Sequence, residues 1–161
     1  MGFEDKVLSR EINQNLYDQQ KTLATAESCT GGGVAQAIIA APGASMYFKG
    51  GIVSYTNEVK VNLLNVPAEL IEEKTAVCEE VAVAMVKGVI KALDTNYGVA
   101  ITGIAGPGGG TDEIPVGTIW IACGTENDIK TFKLTEDHGR DKNLAKATSK
   151  ALQMVLEMIK K

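Results

Sequence analysis

Thr25-Ala26-Glu27-Ser28-Cys29-Thr30-Gly31-Gly32-Gly33 is the stretch on which the fold turns. The apolar run Leu23 to Ala26 leads into a Ser-Cys-Thr cluster, three glycines follow, and Val34 to Ala41 continues as a helical pattern. This is the order of a strand, a tight turn and the start of a helix. A helix that starts there presents unpaired backbone N–H groups and the positive end of its dipole. Such an end suits a phosphate or the oxyanion of acyl transfer, and a hydroxyl in the same turn is a candidate nucleophile. The alternative is a glycine-rich turn in which Ser28 or Thr30 merely caps the helix.

The same alternation extends in both directions. Phe3, Val7, Leu8, Ile12 and Leu16 recur at helical spacing, so residues 3–20 form an amphipathic helix. Lys21 to Ala26 is the first strand, and Gly33 to Ala41 is a helix stopped by Pro42-Gly43. Lys49 to Tyr55 is a second strand and Asn57 to Leu64 a short helix; Pro67 opens another at the favoured first position. Glu79 to Leu93 is a longer helix rich in Val and Ala. Tyr97 to Thr102 is a central strand running into the loop Gly103 to Gly110. Val116 to Cys123 and Ile129 to Leu134 are two further strands, with Trp120 expected in the core, and a long helix runs from Arg140 to the end. Early βα alternation with consecutive strands later predicts a three-layer α/β/α sandwich with a mixed, mostly parallel sheet, built as a single domain over residues 1–161.

Composition narrows the function. A chain of 161 residues with formal net charge −4 and interspersed charges carries no basic block, which argues against a nucleic-acid partner. No segment is apolar for long enough to span a membrane, and the N-terminus has no apolar signal region. Cys29, Cys78 and Cys123 are odd in number and form no CxxC pair, which points to reduced thiols in a reducing compartment and away from zinc. Cys29 reads as a small buried residue, with a reactive thiol at the helix start as the other possibility. The expected location is cytoplasmic.

Two glycine-rich loops each follow a strand, and ligands of open α/β sheets gather beyond strand carboxyl ends. Neither loop fits GxxxxGK[ST], GxGxxG between strand and helix, or GxSxG, so the glycines alone name no ligand. The single histidine, His138, lies in a distant loop. A histidine-dependent serine hydrolase would need it to face Ser28, whereas a lone loop histidine reads as solvated or a local cap; the favoured base for a Ser28 nucleophile is lysine or tyrosine. Ser54-Tyr55-Thr56-Asn57-Glu58-Val59-Lys60 supplies both: Thr56 or Asn57 caps a helix and Lys60 falls in its first turn, where the dipole disfavours the ammonium. The competing reading is a packed tyrosine and an exposed lysine beside Glu58. Arg140 can fork onto a phosphate or carboxylate, or pair with Asp137 or Asp141. Asp112 and Glu113 lie in a loop without a third ligand and read as solvated surface.

Four blocks carry a family likeness: Thr25 to Gly32, Gly51 to Lys60, Ile101 to Gly109 and Pro115 to Trp120. Together they resemble the CinA C-terminal domain family across nearly the whole chain. The resemblance implies a nicotinamide-mononucleotide (NMN) deamidase: an amidohydrolase that converts NMN and water to nicotinic acid mononucleotide and ammonia in pyridine-nucleotide salvage, without metal or cofactor. It implies the stand-alone form of a family whose longer relatives carry a further N-terminal domain. It also implies a homo-oligomer, at least a dimer, whose glycine loop reaches toward the neighbouring site. DNA binding is not implied.

By position, Ser28 would be the nucleophile and Lys60 its base, with Tyr55 assisting proton transfer to ammonia. Backbone N–H groups near Thr30, Gly31 and Gly32 would form the oxyanion hole or hold phosphate. Thr102, Gly103 and Gly106-Pro107 would shape the pocket, and Arg140 would meet the phosphate. The chain departs from the family pattern at Leu144, where a basic residue is common, and at Asp137-His138-Gly139. Two further functions stay open: a non-catalytic nucleotide-binding or regulatory module, and a serine amidase for another small amide.

Overall fold

The computed structural model describes residues 1–161. Helix α1 spans Phe3–Gln19; Glu4 and Asp5 in its first turn complement the helix dipole, and Gln20 ends it in the left-handed region. Strand β1 (Leu23–Glu27) is followed by α2 (Gly33–Ile39), a short 3-10 turn, β2 (Phe48–Val53), and the helices α3 (Asn57–Leu64), α4 (Ala68–Lys74) and α5 (Glu79–Leu93). The chain closes with β3 (Tyr97–Gly103), β4 (Ile119–Gly124), β5 (Ile129–Leu134) and α6 (Arg140–Ile159).

The five strands lie in the order β2-β1-β3-β4-β5. Strand β1 runs parallel to both β2 and β3, while β4 is antiparallel to β3 and to β5. Every strand except β4 therefore points the same way. Helices cover both faces, which makes the molecule an α/β/α sandwich on a mixed sheet.

The two faces are built differently. Leu23, Val99, Ile101, Ile119 and Ile121 meet α1, α2 and α6 on one side. Ala24, Ala26, Ala100 and Ala122 face α5 and the end of α3 on the other. A face of alanines lets α5 lie close to the sheet. Gly88 lets α5 approach α3 as well, since a Cβ there would collide with the Leu64 carbonyl.

The boundaries differ from the sequence expectation where turns intervene. Strand β1 runs on to Glu27, and β3 takes in Gly103. Strand β2 stops at Val53, where its register with β1 runs out (Glu27 opposite Val53), so Tyr55 lies beyond it. Strand β4 begins at Ile119 rather than Val116, because Thr118 N–H closes a turn onto the Pro115 carbonyl. Pro67 is the cap of α4 and not its first residue. Trp120 is half-buried: from the internal strand β4 it packs against the core layer under α5, with the Lys133 ammonium 5.5 Å from its ring centre.

Candidate active site

Alternation along β1 turns Glu27 toward α2 and Ser28 toward α3. Ser28 N–H donates to the Ile101 carbonyl (2.9 Å) and Ser54 N–H to the Glu27 carbonyl (2.7 Å), so the ends of β1, β2 and β3 are tied together. Thr56 caps α3, its hydroxyl accepting from Val59 N–H at 3.3 Å. Lys60 follows in the first turn and reaches back under the sheet. Its Nζ lies 2.9 Å from Ser28 Oγ and donates to the Ser54 carbonyl at 2.7 Å.

Lys60 is 2 % exposed and Ser28 8 %, and no carboxylate pairs with the lysine. Burial accordingly pushes the Lys60 pKa below its usual value, with Cys29 acting more weakly in the opposite sense. Once deprotonated, the amine can donate one N–H to Ser54 and offer its lone pair to the Ser28 hydroxyl. That is the geometry of a nucleophile with its general base.

The start of α2 is not the open anion site that the sequence suggests. Its cap is Gly32, in the left-handed region at φ 102°, and no side chain at the cap position bonds to the helix. Glu27, 1 % exposed, fills the role from the strand. Its carboxylate accepts from Val34 N–H (2.8 Å), Ala35 N–H (3.0 Å) and the Thr30 hydroxyl (2.7 Å). Neither Ser28 nor Thr30 caps the helix. The N–H groups of Gly31 and Gly33 turn back onto the carbonyls of Ser28 and Thr30. Those of Cys29, Thr30 and Gly32 have no oxygen acceptor in the chain. Burial raises the Cys29 thiol to about 11, so it is a packed neutral group beside the nucleophile.

A pocket of about 240 Å³ opens over Ser28, lined by Cys29, Tyr55, Gly103, Gly106, Gly108 and Arg140 among others. Arg140 donates to the Gly106 carbonyl (2.8 Å) and to the Tyr55 hydroxyl (3.4 Å), which joins the first turn of α6 to both loops. Tyr55 stands at the rim, 59 % exposed, and bonds to neither Ser28 nor Lys60. The amides of Gly106, Gly108 and Gly109 have no acceptor in the chain.

The pocket therefore gathers Ser28, Tyr55, Gly103, Gly106 and Arg140, with Lys60 beneath. Thr102, next to Ser28 in the register, does not line this pocket: its hydroxyl donates to the Ala76 carbonyl (2.8 Å) and pins the segment before α5. Thr30, Gly31 and Gly32 form the turn beneath Ser28 without lining this pocket. His138 pairs with Glu136 at 2.8 Å and does not touch Ser28.

Two buried residues escaped the sequence reading. Glu27 is one. The other is Asn143, 2 % exposed, which donates to the Ala105 carbonyl (3.0 Å) and to Asp137 (2.9 Å) and accepts from His138 N–H (2.9 Å). Asn143 and the Gly139 N–H hold the Asp137 carboxyl below its usual range. A polar residue one turn into a helix that otherwise shows an apolar stripe was the available signal for Asn143.

Fold and site together define a class: an α/β sandwich with a buried Ser–Lys pair at the carboxyl end of β1. The CinA C-terminal domain model matches residues 5–159, and the chain belongs to this family. It is 42% identical over 159 residues to a CinA-like protein of Cytophaga hutchinsonii, covering 99% of this chain and 38% of that protein. A CinA-like protein of Trichodesmium erythraeum is 42% identical over 149 residues, covering 92% and 35%. The chain thus spans well under half the length of these curated relatives. A solved competence/damage inducible protein of Agrobacterium tumefaciens superposes with a TM-score of 0.96 at 32% identity, covering 100% of this chain and 98% of that one. No helix is long and apolar enough to cross a membrane.

Proposed function

We propose that the chain is an amidohydrolase that deamidates nicotinamide mononucleotide, with Ser28 as nucleophile and Lys60 as its base. The observation that carries this reading is the 2.9 Å approach of Lys60 Nζ to Ser28 Oγ in a buried setting without a carboxylate. Lys60 takes the hydroxyl proton as Ser28 Oγ attacks the carboxamide carbon. The C–N bond breaks, and nitrogen leaves as ammonia with that proton. Water, deprotonated by the same amine, then cleaves the ester to the acid and restores Ser28. Unpaired amides at Cys29 and Thr30 suit the oxyanion. Tyr55 stands where it can exchange a proton at the pocket mouth. The pyridine ring and carboxamide match the small pocket, and the phosphate matches Arg140 with the free amides of Gly106, Gly108 and Gly109. The choice of NMN rests on the four-block resemblance. The homo-oligomer that it implies is part of the same proposal, as is a place in the cytoplasm.

The test is purified protein with NMN, followed by ammonia and nicotinic acid mononucleotide. Product is expected from the wild type and from neither Ser28→Ala nor Lys60→Ala, both folded. Full activity in either variant refutes the pair. Stabilisation by NMN with no ammonia would favour a binding module, and release from other carboxamides alone would favour a different amidase.

A further inference from the structure

On the far side of the catalytic turn lies a larger cleft of about 560 Å³, walled by α1, α2 and α6. Its size is that of a small-molecule site. Ile39, Ala40, Leu144 and Ala145 give it apolar walls. Asp5 lies among them, 7 % exposed. One of its oxygens accepts from Ser149 Oγ at 2.6 Å, and no lysine, arginine or chain terminus pairs with it. The second oxygen has no partner in the chain, yet it is not sealed in, since the sealed, unpartnered polar atoms are those of Thr25 and Tyr47. Gln36, whose carboxamide bonds to nothing in the chain, adds a further polar group. A carboxylate with one unpartnered oxygen in this cleft suits a cation, and no ion pair of the chain occupies it.

We propose that this cleft is a second ligand site, distinct from the Ser28 pocket, which binds a protonated amine carried on an apolar body with Asp5 as its counter-ion. The ammonium meets the free carboxylate oxygen, and the apolar body lies against Leu144 and Ile39. Thr30 and Gly33 line the cleft and also belong to the turn that carries Ser28, so their amides report on occupancy.

The test is titration of the full chain with phenethylamine, and in parallel with its neutral isostere phenethyl alcohol, followed by amide NMR. It is run on the wild type and on Ser28→Ala, so that its outcome is independent of the proposed reaction. The amine is expected to shift the Thr30, Gly33 and Leu144 amides and to bind at least about tenfold more tightly than the alcohol. Asp5→Asn retains an acceptor for Ser149 and is expected to abolish that preference. Leu144→Lys, which places an ammonium on the wall, is expected to block the amine and keeps the test available if Asp5→Asn does not fold. No amine binding to the wild type, equal binding of amine and alcohol, or undiminished amine binding to the variants would overturn the proposal.

Discussion

Glu27→Ala tests the central structural claim, that a strand carboxylate caps α2 from within. The change removes the acceptor of Val34 N–H, Ala35 N–H and the Thr30 hydroxyl. Leaving a buried donor unpaired costs about 1–3 kcal/mol, and bonds to a charged acceptor lie at the upper end. Two offsets apply: the carboxylate no longer has to be desolvated, and the part-buried Thr30 hydroxyl can turn to water. The net expectation is a loss of about 3 kcal/mol, somewhat above a typical cap deletion. In a chain of 161 residues that lowers Tm by about 6–12 °C. Glu27→Gln keeps one acceptor oxygen and should lose about half as much. Urea denaturation at constant m measures both. With the carboxylate gone, the N-terminus of α2 is open, so inorganic phosphate should stabilise Glu27→Ala and leave the wild type unmoved. A loss under about 1 kcal/mol, with no phosphate effect, would show that these amides find other acceptors and that Glu27 is not the cap.

Three further outcomes are expected. As the proposed base Lys60 must be unprotonated, and burial holds its pKa below the ordinary 10.5, so log kcat/KM should rise with pH and level off below that value. Because the unfolded chain binds the extra proton between the folded and unfolded pKa values, stability should also rise with pH across that window, and Lys60→Met should flatten this slope while abolishing turnover. Gly88→Ala drives a methyl into the Leu64 carbonyl at the end of α3; stability should fall by about 1–3 kcal/mol, and turnover should fall further because Lys60 rides on that helix. Arg140→Ala should raise KM for a phosphorylated substrate by about tenfold with a smaller change in kcat, and Arg140→Lys should not restore it, because the two bonds to Gly106 and Tyr55 use the guanidinium fork.

What was legible in the chain was local. The glycines after β1 and Thr56 before α3 place Ser28 and Lys60 at the ends of their elements, and the strand–helix order then brings those ends to one side of the sheet. Glu27 was not legible. A capping carboxylate is sought at the cap or three residues beyond it, whereas Glu27 lies five residues before Gly32 and reaches α2 only because the chain folds back at Gly31-Gly32. Thr102 follows Ile101, the partner of Glu27, and so shares the sheet face of Ser28, but its hydroxyl is committed to the Ala76 carbonyl, a partner that no spacing announces. Asn143 needs three partners from separate segments, and no spacing in the sequence announces them.

These long-range bonds divide the work at the site. An open α2 N-terminus would attract any anion, the phosphate of a nucleotide included, to a point directly below Ser28. Glu27 occupies that end from within, which leaves Arg140 and the unpaired amides of Gly106, Gly108 and Gly109 as the groups open to an anion at the pocket. Asn143 and Arg140 hold that wall through the Ala105 and Gly106 carbonyls. The amine of Lys60 is left facing Ser28 and Ser54 with no carboxylate to hold it as an ammonium. On the proposed reading, anion recognition and proton transfer would thereby fall to separate groups around one hydroxyl, as hydrolysis of a neutral amide at one end of a phosphorylated molecule requires.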